Sequence, residues 1–107
     1  MAGPPLLSAE ALQAALALRP GWARVEGREA IVKRFIFPDF VAAFACMVEV
    51  AAAAEALGHH PEWTNVYNVL DVVLTTHDAG GLSALDLALA DAVDAAAARF
   101  SPRPGSS

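Results

Sequence analysis

The residues of this chain best suited to chemistry are its three histidines. His59 and His60 are adjacent and precede Pro61, and His77 follows further along the chain. Histidine is the side chain whose unperturbed pKa, about 6.5, lets it both give and take protons near neutrality. The concentration of every histidine in one region therefore predicts a proton-transfer site.

The elements around the histidines should bring them together. Residues 62–70 and 71–77 are rich in β-branched and aromatic side chains, and the first segment alternates with a period of two, which predicts two strands with very little between them. A hairpin with its turn near residue 70 would place Trp63 opposite His77. His59 and His60 then need only a few extended residues to reach that position. We therefore expect the three imidazoles to share one cleft.

Three roles compete for such a cluster. Three histidines are enough ligands for zinc, but adjacent histidines followed by proline are poor geometry for one metal, and HExxH or CxxC spacing is absent. A purely structural role is the default for an isolated histidine and suits three converging ones less well. General acid–base catalysis on a neutral heterocycle needs imidazoles beside an aromatic or carboxylate companion, and we favour it. No serine or cysteine is suitably placed for nucleophilic catalysis.

Composition and charge restrict the class of protein. The chain has 107 residues, the usual size of one domain, and a formal net charge of −5. Without a cluster of Lys and Arg, direct binding to nucleic acid or to an anionic membrane is disfavoured.

The N-terminus lacks a signal-peptide pattern. Residues 41–57 contain Glu49 and Glu55, which indicates a core or interface helix rather than a membrane span. We expect a cytoplasmic protein in which Cys46 is a buried structural thiol.

The pattern of helices and strands predicts the fold class. The predicted elements are, in order, a helix over 8–18, strands over 22–26 and 29–37, a helix over 38–57, strands over 62–70 and 71–77, and a last helix from Ser83. This α-β-β-α-β-β-α order predicts an α+β fold, an antiparallel four-stranded sheet with helices packed on one face. Residues 8–100 should form the single domain. Residues 1–7 are predicted as a flexible N-terminal tail and 101–107 as a disordered C-terminal tail.

Much of the 56% hydrophobic content is alanine, so few large residues are available for the core. The predicted core consists of Trp22, Ile31, Phe35, Phe37, Phe40, Phe44, Met47, Val66, Val69, Val73, Leu74, Leu85 and Leu89. In the second helix, Phe40, Phe44 and Met47 begin one apolar stripe at helical spacing, and Val41 and Val48 belong to a second apolar flank. Such a helix could cover a sheet on one side and meet another subunit on the other.

The spacing of the site residues resembles a known signature. Glu55-x-x-x-His59-His60-Pro61 is followed by Tyr67, His77 and Asp86 at the intervals of the pterin-4a-carbinolamine dehydratase family. The resemblance continues through nearly the whole chain outside the tails: Gly21-Trp22, Glu26-Gly27-Arg28, Ala30-Ile31, Asp39-Phe40, Glu62-Trp63, Asn65-Val66-Tyr67-Asn68 and Gly81-Leu82-Ser83.

The resemblance implies an enzyme that removes water from 4a-hydroxytetrahydropterin to give quinonoid dihydropterin, in the recycling of tetrahydrobiopterin for aromatic amino-acid hydroxylases. It implies that His59, His60 and His77 are catalytic, with Glu55 and Asp86 as supporting carboxylates. We expect His59 and His77 to be the acid–base pair and His60 to hold the pterin or to orient the hydroxyl. The implied substrate-binding set comprises Gly58, His59, His60, Pro61, Trp63, Thr75, Thr76, His77 and Asp78. A homodimer or homotetramer is expected, with neither metal nor cofactor.

Structural explanations compete with these roles. Asp86 lies three residues after Ser83, so a helix capping box explains it about as well as catalysis does. Glu55 could be a solvated helix residue, and Trp63 a core residue or pocket wall. The alternative to an enzyme is a non-catalytic interaction module, because some animal relatives serve as dimerisation cofactors of a homeodomain transcription factor.

Overall fold

The computed structural model describes residues 4–102 and confirms the predicted order of elements. The elements are helix α1 (Ala9–Ala17), strands β1 (Ala23–Arg24) and β2 (Ile31–Ile36), helix α2 (Phe40–Leu57), strands β3 (Glu62–Val66) and β4 (Val69–Leu74), a single 3₁₀ turn (His77–Ala79) and helix α3 (Ala84–Ala98). The strands form one antiparallel four-stranded sheet in the order β1-β2-β4-β3. The fold is therefore α+β, as predicted.

The core lies between one face of this sheet and the helices. Alternate residues of β4, namely Leu70, Val72 and Leu74, are fully buried, and they pair with residues of β2 that include the buried Ile31 and Phe35. Helices α2 and α3 pack against each other and both contact β4. Period-two burial on a central strand is what a sheet with one covered face requires.

Each long helix begins at a side chain that accepts a hydrogen bond from its first turn. Ser8 accepts from the backbone N–H of Ala11, and Asp39 accepts from that of Ala42. Ser83 caps α3 in the same way. These polar residues satisfy amide groups that have no partner within the helix. Helices α1 and α3 begin directly after Ser8 and Ser83, as predicted, whereas α2 begins at Phe40, two residues after the predicted start.

The predicted register of the β3–β4 hairpin is wrong. The strands are joined by a two-residue turn, Tyr67–Asn68, so Trp63 lies opposite Val72 and not opposite His77. Tyr67 adopts a positive φ of 51°, which such tight turns require and which the apolar pattern does not reveal. His77 lies beyond the end of β4, in the 3₁₀ turn.

The apolar stripe assigned to the core side of α2 is also wrong. Phe40 and Phe44 are 45% and 53% exposed, whereas the buried residues of the helix are Ala43, Cys46, Val50 and Ala54. This face of mostly small side chains packs against α3, whose buried residues include Ala90, Val93, Ala96 and Ala97. Val66, another predicted core residue, is 74% exposed on the edge strand.

Cys46 is fully buried, as predicted for a structural thiol. Burial raises the pKa of this thiol from 9.0 to about 11, with the charge of Glu49 acting in the same direction. The reactive thiolate is therefore scarce at neutral pH.

Helix α2 is apolar along most of its length, with a mean hydropathy of 1.9 over 18 residues, which by length and composition alone would suffice to cross a membrane. One face supplies the buried residues that pack in the core. The opposite face exposes Phe40, Val41, Phe44 and Val48. This exposed set is called the α2 apolar face below.

The ends of the chain are described only in part, and residues 1–3 and 103–107 lie outside the described range. Within the predicted N-terminal tail, Leu6 forms an isolated antiparallel bridge with Ser83, and the N–H of Leu7 donates to the carbonyl of Leu82 at 2.8 Å. Backbone pairing thus begins before Ser8. The C-terminal tail beyond residue 102 remains a prediction.

The core assignment predicts a clear contrast between two apolar residues. Leu89→Ala should lower the free energy of unfolding by about 2–5 kcal/mol, because it opens a cavity at a fully buried position. Val66→Ala should change it by less than about 0.5 kcal/mol. Urea unfolding followed by tryptophan fluorescence at equal protein concentrations measures both, and equal losses would contradict the assignment.

Candidate active site

A pocket of about 220 Å³ opens where α2, β4 and the 3₁₀ turn end, and all three histidines line it. Its lining residues are Pro4, Gly58, His59, His60, Thr75, Thr76, His77, Asp78 and Leu85. The predicted convergence of the imidazoles therefore holds, although the hairpin register proposed to produce it does not.

His59 is placed by the end of α2. Gly58 takes a left-handed conformation with φ of 64°, its N–H donates to the carbonyl of Glu55, and the N–H of His59 donates back to the carbonyl of Ala54 at 3.0 Å. This pair of bonds is a Schellman motif, which favours glycine because a side chain is strained at that backbone angle. The motif directs the chain inward, and His59 is 92% buried, with only 8% of its surface exposed.

Asp86 is the hydrogen-bond partner of the His59 ring and is itself completely buried. Its Oδ1 lies 2.7 Å from Nε2 of His59. Its Oδ2 accepts from the backbone N–H of Ser83 at 2.9 Å and from Oγ1 of Thr76 at 2.7 Å. The capping box and the contact with His59 are both present, so the structural explanation of Asp86 is confirmed and its catalytic role stays a prediction.

His60 is the exposed neighbour of His59. Its Nε2 lies 2.6 Å from Oε1 of Glu55, and the two side chains are 63% and 79% exposed. Glu55 thus contacts a catalytic candidate, and the supporting role that the resemblance implies for it stays a prediction. Both groups are solvated, so this pair is more weakly constrained than the buried pair of His59 and Asp86.

His77 begins the 3₁₀ turn that follows β4. Thr76 and Gly81 form an antiparallel bridge across the base of that turn, so His77 projects from a short closed loop. Its Nε2 lies 3.1 Å from Oε2 of Glu62, the first residue of β3. Arg28 holds Glu62 in turn, with two N–O distances of 2.8 Å.

Several predicted substrate-binding residues lie in the pocket wall, and others do not. Thr75, Thr76 and Asp78 line the pocket, and Thr75 donates from Oγ1 to the carbonyl of Glu29 at 2.7 Å. Pro61 and Trp63 are not part of the lining. Trp63 packs on the core and borders a separate pocket on β3 and β4, because the true register places it beside Val72.

Sequence reasoning missed Glu62 and Arg28 as parts of the site. Glu62 belongs to the His-His-Pro-Glu-Trp run and begins a strand beside the histidine pair, which was the available signal. Nothing in the spacing of Arg28 indicates its contact, because the two residues are brought together only by the sheet. The bidentate hydrogen bonds from Arg28 lower the pKa of Glu62 from 4.5 to about 2.

The three histidines share one arrangement, in which each Nε2 contacts a carboxylate oxygen. An ionised carboxylate only accepts hydrogen bonds, so an imidazole that contacts one through Nε2 donates there and keeps Nδ1 for another partner. Imidazole backed by carboxylate is a common arrangement for general acid–base catalysis. Among residues 4–102, no three His, Cys, Asp or Glu side chains are grouped to hold a metal ion.

Comparison with known proteins identifies the family. The model of the family described as pterin 4 alpha carbinolamine dehydratase matches residues 5–96. The chain belongs to this family. A relative from Rhodopseudomonas palustris strain BisB18, named "Putative pterin-4-alpha-carbinolamine dehydratase", is 56% identical over 97 residues, covering 91% of this chain and 96% of the relative. A Bradyrhizobium sp. strain ORS 278 protein of the same name is 56% identical over 95 residues, covering 89% and 95%.

Solved structures of this family share the fold and carry more than one description. A crystal structure from Brucella melitensis, described as a transcriptional coactivator/pterin dehydratase, has a TM-score of 0.85 at 44% identity, covering 87% of this chain and 99% of its own. A pterin dehydratase-like protein described as a RuBisCO assembly factor in the alpha-carboxysome has a TM-score of 0.63 at 28% identity, covering 81% and 93%.

The contacts of Asp86 predict a large effect of a small change. Both carboxylate oxygens of Asp86 have hydrogen-bond partners, and in asparagine an NH₂ group that cannot accept replaces one of them. Asp86→Asn should therefore lower the free energy of unfolding by about 1–3 kcal/mol. Chemical unfolding at neutral pH measures this loss. Glu26→Gln, an exposed change in the loop before β2, is the control and should have little effect. Equal stability of Asp86→Asn and wild type would contradict the bonding described.

The low pKa of Glu62 predicts a contribution to acid stability. A carboxyl group whose pKa is lower in the folded chain stabilises it above the unfolded value, and that contribution is lost as the pH falls from 4.5 towards 2. Wild type should therefore lose thermal stability more steeply than Glu62→Gln over this range. The difference should be modest because the pair is exposed. Melting temperatures against pH test this, and parallel curves would refute it.

Proposed function

We propose that this protein is a 4a-hydroxytetrahydropterin dehydratase that acts by histidine acid–base catalysis. The observation that carries the proposal is the single pocket lined by His59, His60 and His77, each with Nε2 on a carboxylate. Membership of the pterin-4a-carbinolamine dehydratase family supports the same substrate class. The proposed setting is the recycling of tetrahydrobiopterin in the cytoplasm.

The reaction needs two proton transfers and no change of oxidation state. The bond between C4a and its hydroxyl oxygen breaks, and a proton supplied to that oxygen lets it leave as water. The N–H bond at N5 breaks, and its electron pair forms the new double bond between N5 and C4a. The proton taken from N5 balances the proton given to the hydroxyl, so an acid and a base at different places are sufficient.

The two ends of the pocket suit these two roles. His59 is buried and bonded to a buried carboxylate, whereas the side chain of His77 is 77% exposed and bonded to an ion-paired one. The two imidazoles thus differ in their exposure to solvent and in the carboxylate that each contacts. We assign His59 and His77 as the acid–base pair, and His60 as the residue that holds the pterin. Thr75, Thr76 and Asp78 provide polar groups along the same wall.

Separate histidine variants test the assignment. His59→Ala and His77→Ala should each lower kcat by about 10²–10⁴-fold, the usual contribution of one general acid or base. His60→Ala should raise KM more than it lowers kcat, since a binding group contributes equally to the ground and transition states. Quinonoid dihydropterin formation from synthetic carbinolamine, followed by absorbance, measures all three.

The control for these variants is Val66→Ala, which changes an exposed residue outside the pocket and should retain full turnover. Full turnover by the His59→Ala, His77→Ala double variant, with the uncatalysed rate subtracted, would overturn the proposed mechanism. No turnover by wild type would overturn the proposed activity itself.

The alternative remains an interaction module, and the α2 apolar face supports it because large exposed apolar residues on one helix suit an interface. The described roles of the two solved relatives concern protein partners as well as pterins. Sedimentation separates the two functions. If the protein is an enzyme, the His59→Ala, His77→Ala double variant loses turnover and keeps its assembly state. Loss of assembly in this double variant, with turnover unchanged, would favour the interaction module.

A further inference from the structure

The ion pair between Arg28 and Glu62 contacts His77 through Glu62, and the proposed proton transfers give it no role. Both carboxylate oxygens of Glu62 accept from the guanidinium of Arg28 at 2.8 Å, and Oε2 also contacts Nε2 of His77 at 3.1 Å. The three residues therefore form a chain from the surface to the pocket rim. Two parallel N–H···O bonds fix the plane of a carboxylate far better than one does.

Arg28 is itself held in place by its loop. It lies between β1 and β2, in a turn closed by the bond from the N–H of Val25 to the carbonyl of Ala30 at 2.8 Å. The next residue, Glu29, accepts a hydrogen bond through its carbonyl from Thr75, which lines the pocket. This loop thus meets the catalytic end of the sheet at two points, the Glu62 carboxylate and the Thr75 hydroxyl.

We propose that Arg28 and Glu62 are positioning residues that hold the imidazole of His77 in its reactive orientation. This inference rests on the proposed function. The side chain of His77 is 77% exposed, and within residues 4–102 its one ring hydrogen bond is the contact with Glu62. Without that bond, the ring is free to rotate about its side-chain torsions. With it, Nε2 is occupied and Nδ1 is left for the substrate.

The two reactive histidines are held by different physical means. His59 is fixed by burial and by Asp86, a carboxylate with no exposed surface. His77 is exposed at the pocket rim, so burial cannot fix its ring. Its carboxylate partner, Glu62, is held instead by the positive charge of Arg28. Arginine suits this task better than lysine, because its planar fork binds both oxygens at once.

The kinetic test uses Arg28→Gln and Glu62→Gln. Each should lower kcat by about tenfold with KM within about twofold of wild type, the usual effect of losing a group that orients a functional side chain. Arg28→Lys should recover only part of the loss. The double variant should be no slower than the slower single variant, because both residues act through the same imidazole.

The chain offers a matched control in a second bidentate pair. Arg34 donates to both oxygens of Asp71 at 2.8 and 3.0 Å across β2 and β4, away from the histidine pocket. Arg34→Gln removes the same kind of ion pair and should leave kcat and KM unchanged. An equal loss of kcat in Arg34→Gln and Arg28→Gln would show that loss of a surface ion pair, rather than positioning, lowers the rate, and would overturn the inference.

A second measurement does not depend on turnover. Because the chain has only three histidines, ¹³C relaxation of the ring Cε1–H groups reports on each one separately. The order parameter of His77 should fall from about 0.8 to below about 0.6 in Glu62→Gln and Arg28→Gln. His60, held by Glu55, should not change in either variant.

The outcomes separate this inference from the proposed function. Wild-type turnover together with unchanged kcat and an unchanged His77 order parameter in both variants overturns the positioning role alone. Absence of wild-type turnover overturns the proposed function, and the order parameters then decide by themselves whether Arg28 and Glu62 hold the ring.

Discussion

The buried carboxylate of Asp86 is the group on which the site depends. It must be hydrogen-bonded because an unpaired charge in the core is very costly. Its partners are the first turn of α3, the strand end at Thr76 and the imidazole of His59. One carboxylate thus connects the start of α3 and the nearby strand end with His59, which lies 27 residues earlier in the chain. The same contacts that satisfy the charge also place a histidine at the base of the pocket.

The three histidine–carboxylate pairs form a gradient of solvation. The pair at His59 is buried, the pair at His60 is solvated, and the pair at His77 is exposed but reinforced by arginine. Three residues of one type therefore differ in their exposure and in how firmly their carboxylate partners are held. The three positions therefore differ in their carboxylate partners and not in the type of residue that contacts them.

Helix α2 joins the site to the α2 apolar face. Its C-terminal Schellman motif directs His59 into the pocket, and its alanine-rich side packs on α3. The opposite side exposes Phe40 and Phe44. The α2 apolar face and the placement of His59 therefore belong to one helix.

The sequence by itself determined the α+β class, the order of elements, the capping box of Ser83 and Asp86 and the set of histidines, because caps, periodicity and motif spacing are local properties of the chain. It failed at the β3–β4 register, at the buried face of α2 and at Arg28. The two-residue turn at Tyr67 depends on a backbone angle that the apolar pattern does not encode, whereas the packing of α2 on α3 and the ion pair across the sheet depend on residues far apart in sequence. Only the tertiary structure decided these features, because only packing determines which distant groups meet.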